Sequence, residues 1–166
     1  MTKPHRAIVG LLAAFSLPSC ATSHRLAAAG DVHRLLIAIR DDDRASFDAH
    51  VDRRALEAQL ASRLARRAAG ADVGETWKGL GVMLSGPLSR AAGSLLLRPE
   101  VFRAAAEYYG YRPGGPIPNT LALAGALKAL PDGRVCATRR RSGPCLLTFA
   151  DEGGTWRLVG FEGALP

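Results

Sequence analysis

The sequence predicts an α+β domain in which N-terminal helices pack on a C-terminal three-stranded antiparallel meander. Three observations carry that prediction. Apolar residues recur at helical spacing from Val32 to Tyr109, short apolar runs broken by glycine and proline follow from Arg134 onward, and the two patterns do not alternate. A βαβ chain would interleave them. A hydrophobic share of 48% with 22% charged residues suits a folded chain, and it excludes a disordered tail, a coiled coil and a polytopic membrane protein.

The chain opens on a leader. Lys3, His5 and Arg6 form a basic head, Ala7 to Leu17 an apolar run, and Leu17-Pro18-Ser19-Cys20 closes it. The run is too short for the roughly 20 helical residues that cross a bilayer, whereas it fits a secretory signal peptide. Two endings compete. Leu17 to Cys20 resembles a bacterial lipobox, whose cysteine is lipidated and becomes the mature N-terminus. Ordinary cleavage after Ser19-Cys20-Ala21 would instead release a soluble periplasmic chain. The predicted organisation is a signal peptide with a lipobox-like end at 1–20, a short tether at 21–30 and one α+β domain at 31–166. The expected location is the periplasmic face of the envelope, lipid-anchored through Cys20, with the membrane as a partner.

Val32, Leu35, Leu36 and Ile39 define the first helix, with Asp31 as its possible N-cap and Asp41-Asp42-Asp43 at its end. Phe47 and Val51 read as a short turn. Asp52 caps a third helix to about Ala69, stopped by Gly70, and Val51 with Leu56 forms a hydrophobic staple. That helix carries Arg53, Arg54, Arg63, Arg66 and Arg67, yet Arg53 and Arg67 fall beside Leu56, Leu60 and Leu64, so it packs between neighbours rather than lying on a membrane. Gly70 to Gly81 is a loop with Trp77, and Leu84 to Leu97 a further helical run. Pro99 starts a helix whose Val101, Phe102, Ala105, Tyr108 and Tyr109 share one arc, ended by Gly110. Thr120 to Leu130 satisfies the helical and the strand period in part. The reading favours a helix capped by Asn119 and ended by Pro131-Asp132-Gly133.

Arg134 to Thr138, Cys145 to Ala150 and Thr155 to Phe161 are the three predicted strands, the last two joined through Glu152-Gly153-Gly154. Alternation in the last strand puts Trp156, Leu158 and Gly160 toward the helices and Arg157, Val159 and Phe161 on the opposite face. Either leader ending takes Cys20 out of disulfide chemistry. Cys136 and Cys145 remain as an even pair in an exported chain, predicted to be bonded across a hairpin centred between Arg140 and Arg141.

Chemistry-bearing motifs are scarce. There is no G-x-S-x-G, H-E-x-x-H, P-loop or dinucleotide fingerprint, so no enzyme activity, catalytic residue or cofactor is expected. His33 reads as solvent-exposed and His50 as locally hydrogen-bonded. Asp41, Asp43 and Asp52 match positions one, three and twelve of a calcium loop, but Ser46 replaces the required glycine and Asp52 the bidentate glutamate, so no metal is expected. The formal charge of +7 includes Lys3 and Arg6 of the leader, and the rest is arginine amid alanine and glycine without a nucleic-acid motif. No nucleic-acid partner is expected. Arg139-Arg140-Arg141 form an exposed hairpin tip.

Leu35-Leu36-Ile37-Ala38-Ile39-Arg40, Val51-Asp52 with Ala55-Leu56, Arg98-Pro99-Glu100 and Trp156-Arg157-Leu158-Val159 together resemble the bacterial domain of unknown function 2939 family, over about residues 31 to 166. The resemblance implies an exported or membrane-anchored protein and brings no catalytic residue. Two functions compete on this sequence. One is a non-catalytic envelope scaffold that binds another protein or the wall. The other is a binder of a lipid or small apolar ligand, with Phe102, Tyr108, Tyr109, Phe149, Trp156 and Phe161 lining a pocket between helices and sheet.

Overall fold

The computed structural model describes residues 19–70, 91, 93, 95–108, 112, 114–138 and 143–162. The loop with Trp77, most of the Leu84–Leu97 run, Tyr109 and the Arg139–Arg141 tip lie outside the described residues. The described elements are helices α1 (Ser19–Asp41), α2 (Arg44–Ala49), α3 (Arg53–Gly70), α4 (Pro99–Tyr108) and α5 (Thr120–Ala126), then strands β1 (Leu127–Ala129), β2 (Val135–Thr138), β3 (Cys145–Glu152) and β4 (Thr155–Phe161). The architecture is α+β. The sheet has four antiparallel strands in sequence order rather than three.

α1 corrects the expected tether. Residues 21–30 belong to the helix, and Ala28 and Ala29 are fully buried. Alanine is the strongest helix former, so the stretch from Ala21 to Ala29 extends the helix without the large apolar side chains that announce one. Asp31 is therefore ten residues and more inside α1, not at its N-cap. Val32, Leu35 and Ala38 continue the buried stripe.

The local stop and start signals behave as their chemistry dictates. Asp42 adopts φ +58° and breaks α1, a conformation aspartate tolerates better than most residues. Asp43 caps α2, accepting from the Ser46 N–H at 3.0 Å, and Asp52 caps α3, accepting from Ala55 N–H at 3.1 Å. Asn119 caps α5 in the same way, through Ala122 N–H at 2.9 Å. The Thr120–Leu130 run satisfies both periods because it is both: α5 passes directly into β1 at Leu127. Gly153 and Gly154, at φ +66° and +87°, make the two-residue turn between β3 and β4 that only such a pair adopts without strain.

Register decides which residues enter the core. One row across the sheet runs Leu158, Phe149, Val135 and Ala129, and Val51 joins it beyond β4 through a parallel bridge. Phe149, Val135, Leu158 and Val51 are all buried, packed with Trp156, Phe47, Leu56 and the α1 stripe. Trp156 and Leu158 face the helices, as alternation requires. Phe161 does not keep to the opposite face. Phe149 pairs with Leu158 but Thr148 with Gly160, so Val159 is an extra residue. That bulge resets the alternation and puts Phe161 opposite Leu147, where both pack against the core.

A second irregularity corrects the hairpin geometry of the cysteines. Cys136 faces Thr148 and Thr138 faces Cys145, with a shift between Ala137 and Thr138. The Cys136–Cys145 disulfide forms nonetheless, with Cα atoms 5.5 Å apart. Closing a loop of sequence separation 9, the bond contributes about 2–3 kcal/mol on chain-entropy grounds. Reduction is expected to lower the denaturant midpoint by a corresponding amount and to leave the fold intact. Free thiols titrating in the unreduced protein would contradict the bond.

Candidate functional site

Two of the buried polar residues, Asp31 and His50, converge on the outer edge of β4. An edge strand exposes main-chain donors and acceptors to any passing chain, and here each outward-facing residue of β4 has a dedicated partner. The Trp156 N–H donates to Asp31 Oδ2 at 2.9 Å. Leu158 donates its N–H to the His50 carbonyl at 2.9 Å and accepts from the Asp52 N–H at 3.0 Å. Phe161 donates its N–H to Gln59 Oε1 at 3.0 Å and accepts from Gln59 Nε2 at 2.8 Å. The Gln59 amide thus stands in for a peptide unit of a neighbouring strand. Arg63 adds a further donor to the Phe161 carbonyl, and its guanidinium lies 4.7 Å from the Phe161 ring centre.

Asp31 and His50 are the two ionisable residues at the heart of this edge, 5% and 7% exposed. His50 Nδ1 lies 2.7 Å from the Ser46 carbonyl oxygen, which can only accept, so Nδ1 carries a hydrogen. The other ring nitrogen, Nε2, faces Asp31 Oδ1 at 3.4 Å, and Arg34 reaches the same oxygen at 3.2 Å. An aspartate beside a histidine is two-thirds of a hydrolytic triad. In a triad, however, one ring nitrogen points at a nucleophile. Nδ1 of His50 is held by α2, and Nε2 lies against Asp31 of α1, an ion pair when the ring is protonated, so the pair ties elements together. Beside it, the His24 ring lies 5.8 Å from that of Trp156, tilted by 58°.

On the opposite face of β4, at the β3–β4 turn, Glu152 lies beside Asp52 and 3.5 Å from Arg157. Desolvation and the Asp52 charge and hydrogen bond push the Glu152 carboxyl above its ordinary value of 4.5, against the opposing pull of Arg157. The folded state therefore holds a proton that the unfolded chain releases. Stability should fall as pH rises from 4.5 through the raised folded value, and the cost should persist above it. Glu152→Gln is expected to be more stable than the parent at neutral pH, and this advantage should vanish below pH 4.5. Thermal melts across pH 3 to 8, on the ordinary scale of carboxylate titration, check both arms.

The residues singled out on the sequence are distributed as follows. Phe149 and Trp156, at 2% and 4% exposed, are core residues. Phe102 packs edge-on against Phe47, ring centres 5.2 Å apart, as the aromatic contact between α4 and α2. The backbone of Tyr108 ends α4, and Tyr109 is outside the described residues. Cys20 lies in the first turn of α1. The three aspartates of the calcium-like spacing serve separate partners: Asp41 pairs with Arg40, while Asp43 and Asp52 cap helices. His33 is half-buried, its Nδ1 3.0 Å from the Pro118 carbonyl, rather than free in solvent. Among the described residues no group of three His, Cys, Asp or Glu is placed to hold a metal ion, and no described helix is long and apolar enough to cross a membrane.

Sequence reasoning did not find the Asp31–His50–Trp156 junction. A signal existed: Asp31 falls three residues after Ala28 and four before Leu35, on the apolar arc of α1 once that helix is extended. A charged residue on a buried stripe marks a specific partner.

The family model described as "Protein of unknown function (DUF2939)" matches residues 14–105. No curated protein and no solved structure matches the chain.

Proposed function

The chain belongs to the DUF2939 family, and from that premise we propose that it is an exported, lipid-anchored envelope protein that acts as a non-catalytic scaffold, binding another protein or the wall at its surface. The observation that carries this reading is the position of Phe149 and Trp156. A binder of an apolar ligand needs aromatic side chains exposed to a cavity. Here they fill the core between α1 and the sheet, in one cluster with Phe47, Leu56 and Leu158. The buried junction of Asp31 and His50 ties α1 to α2, a structural role that supports the non-catalytic half of the reading in the same way. The basic head, apolar run and Cys20 of the leader support export and anchoring.

Fractionation tests the anchor. Wild-type protein is expected in the membrane fraction with an acylated Cys20, and Cys20→Ser protein is expected to be released from it. A wild-type chain whose mature N-terminus is Thr22 would overturn the anchor and leave a soluble periplasmic protein. Mass spectrometry of protein purified from its own envelope tests the scaffold. The expected spectrum shows no stoichiometric lipid besides the covalent anchor, and a tightly bound second lipid would favour the apolar-ligand reading.

A further inference from the structure

We infer that the bilayer surface is itself a partner of one end of the domain, the end where the first turns of α1 and the Trp156 side chain meet. The inference rests on the lipid-anchored reading above and extends it from an attachment to an orientation. Its basis is the shortness of the chain between the anchor and the body. α1 begins at Ser19, so there is no linker between Cys20 and the fold. His24 already lies against Trp156, at 5.8 Å between ring centres, and Ala28 is fully buried.

Cleavage before Cys20 would leave the first N–H groups of the new helix end without partners, and that turn frays easily. The bound holds in either state. From Cys20 to His24 a helix advances about 6 Å, and a fully extended chain spans at most about 14 Å. An acyl chain on Cys20 puts that residue at the headgroups. The Trp156 indole, which lies against His24, is then held within about 20 Å of the headgroups. Leu146 lies at the other end of the β3–β4 hairpin, where its carbonyl accepts from Glu162 N–H at 2.7 Å. It is six positions from Glu152, about 20 Å along β3.

Two exposed leucines make this measurable. Leu26, 42% exposed, lies two residues past His24, and Leu146, 37% exposed, lies at the far end. Each would be replaced by cysteine for a nitroxide label in the full-length, natively acylated protein, where Cys136 and Cys145 are already bonded. The labelled proteins would be reconstituted into phosphatidylethanolamine–phosphatidylglycerol vesicles containing a small fraction of nickel-chelating lipid. The expected result is a several-fold larger relaxation enhancement at Leu26→Cys than at Leu146→Cys. A Gly-Ser insertion of about ten residues between Ala21 and Thr22, with a root-mean-square span of about 17 Å, should largely abolish that difference. Equal enhancements at the native length, or a difference that survives the insertion, would overturn the inference. If Cys20 is acylated in those samples, the lipid-anchored reading stands while the orientation falls. A mature chain starting at Thr22 overturns both.

Discussion

Asp31→Ala is expected to destabilise the domain by about 3–5 kcal/mol, lowering Tm by on the order of 10 °C. The carboxylate is buried and serves the Trp156 N–H, His50 and Arg34 at once. Its removal strands a buried main-chain donor on β4, which alone costs about 1–3 kcal/mol, and leaves His50 Nε2 facing a void. Asp31→Ser separates this account from helix capping. Serine is as good an N-cap as aspartate, so a capping role would make the substitution nearly neutral. A serine side chain is too short to reach β4, so the substitution should cost nearly as much as alanine does. Chemical denaturation of the three proteins measures the difference. A serine variant as stable as the parent would show that the contact to Trp156 carries no weight.

Trp156→Ala should have a cost of similar size, about 3–5 kcal/mol, for a different reason: it leaves a cavity between α1 and the sheet. The two effects meet at one residue, since Asp31 holds the Trp156 main chain while the indole fills the core. The double variant should therefore lose less than the two single losses combined. If the protein is a scaffold, cellular activity of Trp156→Ala should track the amount of folded protein. Trp156→Phe offers the complementary reading. It should retain most of the stability and leave the lipid content of the purified protein unchanged. A lipid that disappears with Trp156→Phe would restore the aromatic pocket.

What the sequence made legible was local. Asp52 and Asn119, both read as caps, each lie three residues before the N–H they accept from, so a short window contains both partners. Gly153-Gly154 declares its turn in the same way. The strands were legible in type because apolar residues alternate within them, but β1 was too short, at three residues, to separate from the helix that runs into it. The face of Phe161 was misassigned for a related reason. A single extra residue at Val159 inverts a period-two pattern, and nothing within the strand announces it. At the edge of β4 the sequence could flag Asp31 but not its partner: Asp31 reaches Trp156 across 125 positions and Gln59 reaches Phe161 across 102. No local propensity specifies such a pair. The Cys136–Cys145 bond was an intermediate case, readable from the even number of cysteines and the expected export, but not in its register.

The closure of the β4 edge also bears on the order in which the molecule can be made. The groups that close it, Asp31, the His50–Asp52 segment, Gln59 and Arg63, precede the meander, and β4 is the last described element to emerge during synthesis. The template is thus complete before its final strand arrives. Until Trp156, Leu158 and Phe161 dock, Asp31 Oδ2 and the Gln59 amide lack their β4 partners, so a chain halted earlier has less to hold α1 and α3 in place. Contacts of such high sequence separation make folding slow and concentrate it at the end. Under the proposed export that delay has a use: a chain still lacking β4 would hold little structure to be pulled apart on the way through a membrane.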